Sequence, residues 1–180
     1  MRQKPLVVIS ACLAGQRTRY NAALIHSQRL IDFLTERFRL FPVCPEVEAG
    51  LPVPREPINL HGSPLVPSLI GVQTGADYTF RVTERCLEIL DHLEHDPPSG
   101  MVLKSRSPTC AAVTPIPVHD TMGRPSGQAL GVFARLARRR FPDVPVADER
   151  ILSFSPALDG FARVVGAKAY TEAAPPEENS

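Results

Sequence analysis

The sequence predicts a single α/β domain, Rossmann-like and three-layered, with a mostly parallel sheet flanked by helices. Three observations lead there. Leu6-Val7-Val8-Ile9-Ser10 is an unbroken, largely β-branched run, the pattern of a strand buried on both faces. Short apolar runs of the same kind recur further along the chain, and segments of helical periodicity lie between them. Strands that alternate with helices in this way pair in parallel through right-handed crossovers.

Each element has its own warrant. After the first strand, Leu30, Ile31, Phe33, Leu34 and Phe38 recur at helical spacing, which predicts a helix over 26–38 with Ser27 as its N-cap. Residues 40–43 form the next strand, and Pro45 forces the chain out of the sheet because proline has no N–H to give a ladder. The stretch 50–76 is rich in proline and glycine and reads as a long connecting loop, a kind that is usually functional. Val82, Cys86, Ile89, Leu90 and Leu93 form one stripe of a helix over 78–95, with Cys86 as a small buried hydrophobe. Met101-Val102-Leu103 is the third strand. A poorly patterned stretch, 111–125, precedes a helix over 130–141 whose Arg138-Arg139-Arg140 reads as a solvated, cationic C-terminal end. Val144-Pro145-Val146 is a short fourth strand and 156–165 a last helix. Residues 171–180 lack large apolar side chains and read as a disordered tail, which bounds the domain at 1–170.

Composition narrows the function. With 180 residues, 43% hydrophobic and 22% charged, the chain is an ordinary globular one. A net charge of +1 argues against a nucleic acid polymer or a membrane surface as partner. No apolar run approaches the ~18 residues of a membrane helix. The basic start, Met1-Arg2-Gln3-Lys4-Pro5, is followed by too short an apolar stretch, and no cleavage site, for a secretory signal. The expected location is the cytoplasm, where the four cysteines are thiols rather than a disulfide framework. The lack of any CxxC among them argues against a zinc ribbon.

Cys12, Cys44 and Cys110 each follow a predicted strand. In a parallel sheet all strand C-termini lie on one edge, so three distant cysteines converge where open α/β sheets bind ligands. Three thiolates without a fourth suggest a centre with an open position, either a [4Fe–4S] cluster with one uncapped iron or a zinc with an exchangeable site. Groups fit for proton transfer stand beside them: Glu46 after Cys44, and Ser105 and Ser107 before Cys110. Arg19, Arg55, Lys104 and Arg106 supply positive charge. The five histidines show no ligand spacing, although His119-Asp120 has the makings of a proton relay.

Val8-Ile9-Ser10-Ala11-Cys12-Leu13, Arg19-Tyr20, Cys44-Pro45-Glu46-Val47, Gly50-Leu51-Pro52, Pro54-Arg55 and 103–110 (LKSRSPTC) together resemble the blocks of a known family. It was long catalogued as a domain of unknown function and is typified by thiouracil desulfurase; the resemblance covers roughly 6–147. It implies a [4Fe–4S] cluster held by Cys12, Cys44 and Cys110, whose remaining iron takes the sulfur of a small thiolated heterocycle such as 2-thiouracil. It also implies hydrolytic cleavage of the carbon–sulfur bond without net redox change, with Glu46 as the catalytic carboxylate and Ser107, or in reserve Ser105, as the catalytic serine. The chain departs from the family pattern in three places. Ala111-Ala112 stands where glycine usually follows the last cysteine, Asn21-Ala22 replaces Asp-Gly, and the glycine-rich block expected near 117–131 is reduced to 118–123 (VHDTMG). Two rivals stand beside the desulfurase: a zinc-dependent hydrolase or deaminase on the same thiolates, and a non-catalytic sulfide- or nucleobase-binding module.

Overall fold

The computed structural model describes residues 3–25 and 28–172. Its centre is a four-stranded, all-parallel sheet in the order β2-β1-β5-β8, formed by β1 (Leu6–Ser10), β2 (Arg39–Val43), β5 (Gly100–Leu103) and β8 (Val146–Asp148). The α/β class and the parallel sheet flanked by helices are those expected. Alternation along β1 explains the layering. Leu6 and Val8 face one core, Val7 and Ile9 the other. Val7, Val8 and Ile9 are fully buried, and each contributes about 1.5–3 kcal/mol by leaving water.

One side is closed by α1 (Gln28–Arg37) and α5 (Ser155–Glu172), which bring Leu30, Leu34, Leu158, Phe161 and Val165 against Val7, Ile9, Val102 and Ala147. The other side is closed by α3 (Thr79–Glu94) and α4 (Val132–Arg140), whose Val82, Cys86, Leu90, Phe133 and Ala137 pack on Val8, Met101 and Leu103. Cys86 is fully buried, as its place in the stripe requires. Ser27, the expected N-cap of α1, lies outside the described residues, as do 173–180 of the expected tail; Thr171 and Glu172, expected in that tail, end α5 instead.

The long proline-rich stretch is not a bare loop. It contains β3 (Ile58–Ser63) and β4 (Val66–Gly71), which join β6 (Ile116–His119) and β7 (Pro125–Ala129) in a second, mixed sheet of order β4-β3-β6-β7. Ile58, Leu60, Leu69 and Val118 carry this sheet onto the same core as α3 and α4, so both sheets share one apolar interior. The fourth parallel strand lies at 146–148 rather than 144–146. Pro145 still contributes its carbonyl, to the N–H of Met101, but the ladder proper needs residues that also donate. The cationic end of α4 faces solvent at Arg138 and Arg139, as expected, and is also tied down by specific partners. Arg140 pairs with Asp91 and Glu94 of α3, and Arg138 donates to the Ala112 carbonyl.

Candidate active site

Three strand ends build the site. Beyond β1 the chain turns at 11–15, with the N–H of Ala11 bonded to the Val43 carbonyl, and this turn presents Cys12. Beyond β2, Cys44 caps a four-residue helix, α2 (Pro45–Glu48), with proline in its first turn, where a missing N–H costs nothing. The exposed Glu48 carboxylate accepts the N–H of Cys44 at 2.9 Å and fixes that corner. Beyond β5, residues 104–111 turn sharply to deliver Cys110. The Ser107 hydroxyl oxygen accepts the N–H groups of Thr109 and Cys110 at 3.2 and 3.0 Å, while the Pro108 and Thr109 carbonyls cap the first N–H groups of α4. Gly131 permits this docking, because a Cβ there would stand 2.5 Å from the backbone of Thr109. Two non-glycine residues hold left-handed backbone: Arg106, which lines the site, at φ 59°, and Ala22, where the resembled family has glycine, at φ 55°.

The three cysteines line one cavity of about 390 Å³, within the roughly 300–1,000 Å³ range of small-molecule sites. Glu46, Ser105, Ser107, Arg19, Arg55, Lys104 and Arg106 line it as well, so the catalytic, ligating and cationic candidates from the sequence meet there. All four cysteines are free thiols. Burial pushes the Cys12 thiol up to about 11, helped by neighbouring Cys44 and opposed by Lys104. It also raises Cys110, against the Ser10 hydroxyl, with Cys44 and Cys12 adding to the rise. Burial raises Cys44 too, opposed by the Val47 N–H, by Arg55 and by the Thr18 side chain. Such thiols become good anionic ligands only when a cation replaces the lost water. No group of three or more Cys, His, Asp or Glu side chains among the described residues is arranged to hold a metal ion. The thiols surround a space rather than a point.

The other polar groups are tied in two networks. In the first, Arg55 donates Nε–H and Nη2–H to Oε2 of Glu46 at 2.9 and 2.6 Å, and Thr109 donates its hydroxyl to Oε1 at 2.6 Å. The side chains of this ion pair are only 6% and 11% exposed. Arg55 also reaches the Thr18 carbonyl, and its backbone N–H bonds the Tyr20 carbonyl, so one arginine staples the loops after β1 and β2 to its own. In the second network, Glu149 accepts from Lys104 Nζ, from the Ser105 N–H and from the Ser105 hydroxyl. Burial alone would raise the Glu149 carboxyl, but its bonds to Lys104 and Ser105 outweigh it and hold the group below its ordinary range. Thr109 and Glu149 have no signature in the sequence, since their partners lie 63 and 44–45 residues away. His119 and Asp120 form no relay: the carboxylate is bonded to Arg124, and the imidazole lies beside His61 and the Leu60 carbonyl.

With three thiols, a carboxylate and four cations on one cavity, comparison with known proteins is decisive. The sequence profile of the 2-thiouracil desulfurase family matches residues 7–149, nearly the span of the motif blocks. The chain belongs to that family. Among its relatives is the uncharacterized protein YbbK of Bacillus subtilis (strain 168), 28% identical over 112 residues, which are 59% of this chain and 74% of YbbK. Among solved structures, a [4Fe–4S]-dependent thiouracil desulfidase, TudS, superposes with a TM-score of 0.65 at 29% identity, covering 88% of this chain and 99% of TudS. Family and solved neighbour alike are C–S bond-cleaving enzymes. Among the described residues no helix is long and apolar enough to cross a membrane.

Proposed function

We propose that this protein is a non-redox desulfurase that removes sulfur from a small thiolated nucleobase such as 2-thiouracil, using a [4Fe–4S] cluster held by Cys12, Cys44 and Cys110. The observation that carries the reading is the meeting of these three cysteines with a single carboxylate on one cationic cavity. The donor set fits the cluster. Three soft thiols come from three separate loops, no fourth lines the cavity, and Arg19, Arg55, Lys104 and Arg106 offset the negative charge of a thiolate-bound cube. When bound, the cluster supplies one iron without a protein ligand, a Lewis acid with high affinity for sulfur. A single zinc usually takes two of its ligands from one short knuckle, and these three thiols come from three separate loops, which disfavours the zinc hydrolase.

The chain's own groups do the proton work. The net reaction turns a thiocarbonyl and water into a carbonyl and hydrogen sulfide, which leaves as hydrosulfide, with no change in electron count. The water loses its proton as its oxygen bonds to carbon. Arg55 takes up both lone pairs of Oε2 of Glu46, and Thr109 one of Oε1, so the acceptor site left for that proton is on Oε1. Between the two serines, bonding supports Ser107. Its oxygen accepts two backbone N–H groups, which leaves its O–H to donate into the cavity, whereas Ser105 already gives its proton to Glu149. The proposal assigns this chemistry to one domain, 1–170, in the reducing cytoplasm, where the free thiols persist.

The test is anaerobic reconstitution followed by iron, sulfide and turnover measurements. Roughly four irons and four sulfides per chain, and conversion of 2-thiouracil to uracil with release of hydrosulfide, are expected. Glu46→Ala should keep the cluster and lose turnover. Substrate binding without turnover by the parent would favour the binding module, and stoichiometric zinc without sulfide the hydrolase.

A further inference from the structure

Among the described residues, three buried side-chain polar atoms lack a hydrogen-bond partner: Thr18 Oγ1, Arg39 Nε and Arg85 Nε. The two arginines use their other nitrogens in surface ion pairs, with Asp96 and Glu88. Thr18 differs because it lines the cysteine cavity. An unpaired buried hydroxyl costs desolvation free energy, so a native site that keeps one calls for an acceptor.

The backbone of Thr18 is fully engaged. Its N–H bonds the Gln16 carbonyl, and its own carbonyl accepts Nη2 of Arg55 at 3.0 Å and faces Sγ of Cys44 at 3.9 Å. The residue is therefore pinned against Cys44 with only its hydroxyl uncommitted. A protonated thiol that turns its S–H toward the Thr18 carbonyl is a poor acceptor, whereas a thiolate bound to iron is a good one. Cys110 likewise has a hydroxyl neighbour in Ser10, but that group is already partnered: its oxygen accepts the N–H of Lys104, which leaves its O–H to donate to the Cys110 sulfur.

We infer that the Thr18 hydroxyl is a hydrogen-bond donor reserved for the sulfur of ligated Cys44, and that it acts to retain and tune the cluster. The inference rests on the proposed cluster and goes beyond it, because it gives the Thr18 hydroxyl, whose contact with Cys44 favours the anionic sulfur, a role in holding the cluster. Hydrogen bonds to cluster sulfurs raise retention and set reduction potential.

Thr18→Val keeps the shape and deletes the donor; Thr18→Ser keeps the donor. The reconstituted proteins are challenged with a chelator and the decay of cluster absorbance is followed. Reduction potentials are measured, and urea unfolding of the metal-free proteins is run alongside. Thr18→Val should lose the cluster about tenfold faster and shift to a more negative potential, as expected from losing one hydrogen bond to a charged acceptor. Thr18→Ser should match the parent, and metal-free Thr18→Val should be at least as stable as the parent, since valine leaves no hydroxyl unpaired. Cluster decay unchanged in Thr18→Val overturns the inference. So does a metal-free Thr18→Val that is less stable than the parent or does not fold, because either result gives the hydroxyl a structural role. If the parent takes up neither iron nor sulfide, the functional proposal fails first and the inference falls with it.

Discussion

Replacing Arg55 by methionine tests the ion pair on which the site geometry depends. The substitution removes two charge-assisted bonds, at 2.9 and 2.6 Å, from Oε2 of Glu46, and leaves that carboxylate only the Thr109 hydroxyl. Glu46 is 8% exposed, so water cannot fully replace the guanidinium. Removing one partner of a buried pair costs about 3–5 kcal/mol, a large share of a total stability of roughly 5–15 kcal/mol. In urea, with a slope of about 1–3 kcal/mol per molar, the midpoint of the metal-free protein should fall by about 1–5 M. Glu46→Gln alone leaves Arg55 unpaired and should also destabilise. The double variant buries no charge, and the glutamine amide oxygen can still accept from Thr109. It should therefore be more stable than the sum of the single changes predicts, by about 2 kcal/mol or more. Loss of less than about 1 kcal/mol in Arg55→Met, the value of a surface pair, would refute the reasoning. Strict additivity in the cycle would refute it equally.

Two further outcomes are expected. Gly131→Ala sets a Cβ 2.5 Å from the carbonyl carbon and oxygen of Thr109, and backbone cannot yield as a side-chain tip does. It should cost about 1–3 kcal/mol and displace the loop of Cys110, so that reconstituted iron falls together with the unfolding midpoint. Glu56 accepts from the Thr74 hydroxyl and N–H, the Gln73 N–H and the Tyr78 hydroxyl, which push its pKa down from 4.5 to about 2. Its folded value is depressed, so the stability it contributes is present above 4.5 and is lost as pH falls toward 2. Glu56→Gln should flatten the acid limb of a stability–pH curve in that window; an unaltered limb would show that these bonds carry no such linkage.

The parallel sheet was legible because its strands are buried on both faces and so read as continuous apolar runs. β8 was displaced by two residues because its last member, Asp148, is a buried acid that turns inward to bond the N–H groups of Arg150 and Ile151. The second sheet was missed for the opposite reason. Its strands bury one face, and prolines, glycines and serines interrupt them; β7 reads Pro-Ser-Gly-Gln-Ala. A weak signal was present in β3, where buried Ile58 and Leu60 alternate with the more exposed Asn59 and His61. In the site, Cys12, Cys44, Cys110, Glu46 and Ser107 were legible because they stand close to strand ends. Thr18, Thr109 and Glu149 were not, because their importance is entirely tertiary. Nothing about a threonine before Cys110 announces that its hydroxyl meets a carboxylate from another loop.

The wide spacing of the three strand ends also fixes an order of assembly. Cys12, Cys44 and Cys110 are delivered by turns that exist only after β1, β2 and β5 have paired across long sequence separations. A knuckle of two neighbouring cysteines can seize metal while the chain is still unfolded and so drive its own folding. Here the unfolded chain offers no such foothold. The polypeptide must complete its sheet first and present a finished socket, stapled by Arg55. If these cysteines hold the proposed cluster, it is loaded after folding, and metal supply then governs turnover but not whether the chain folds.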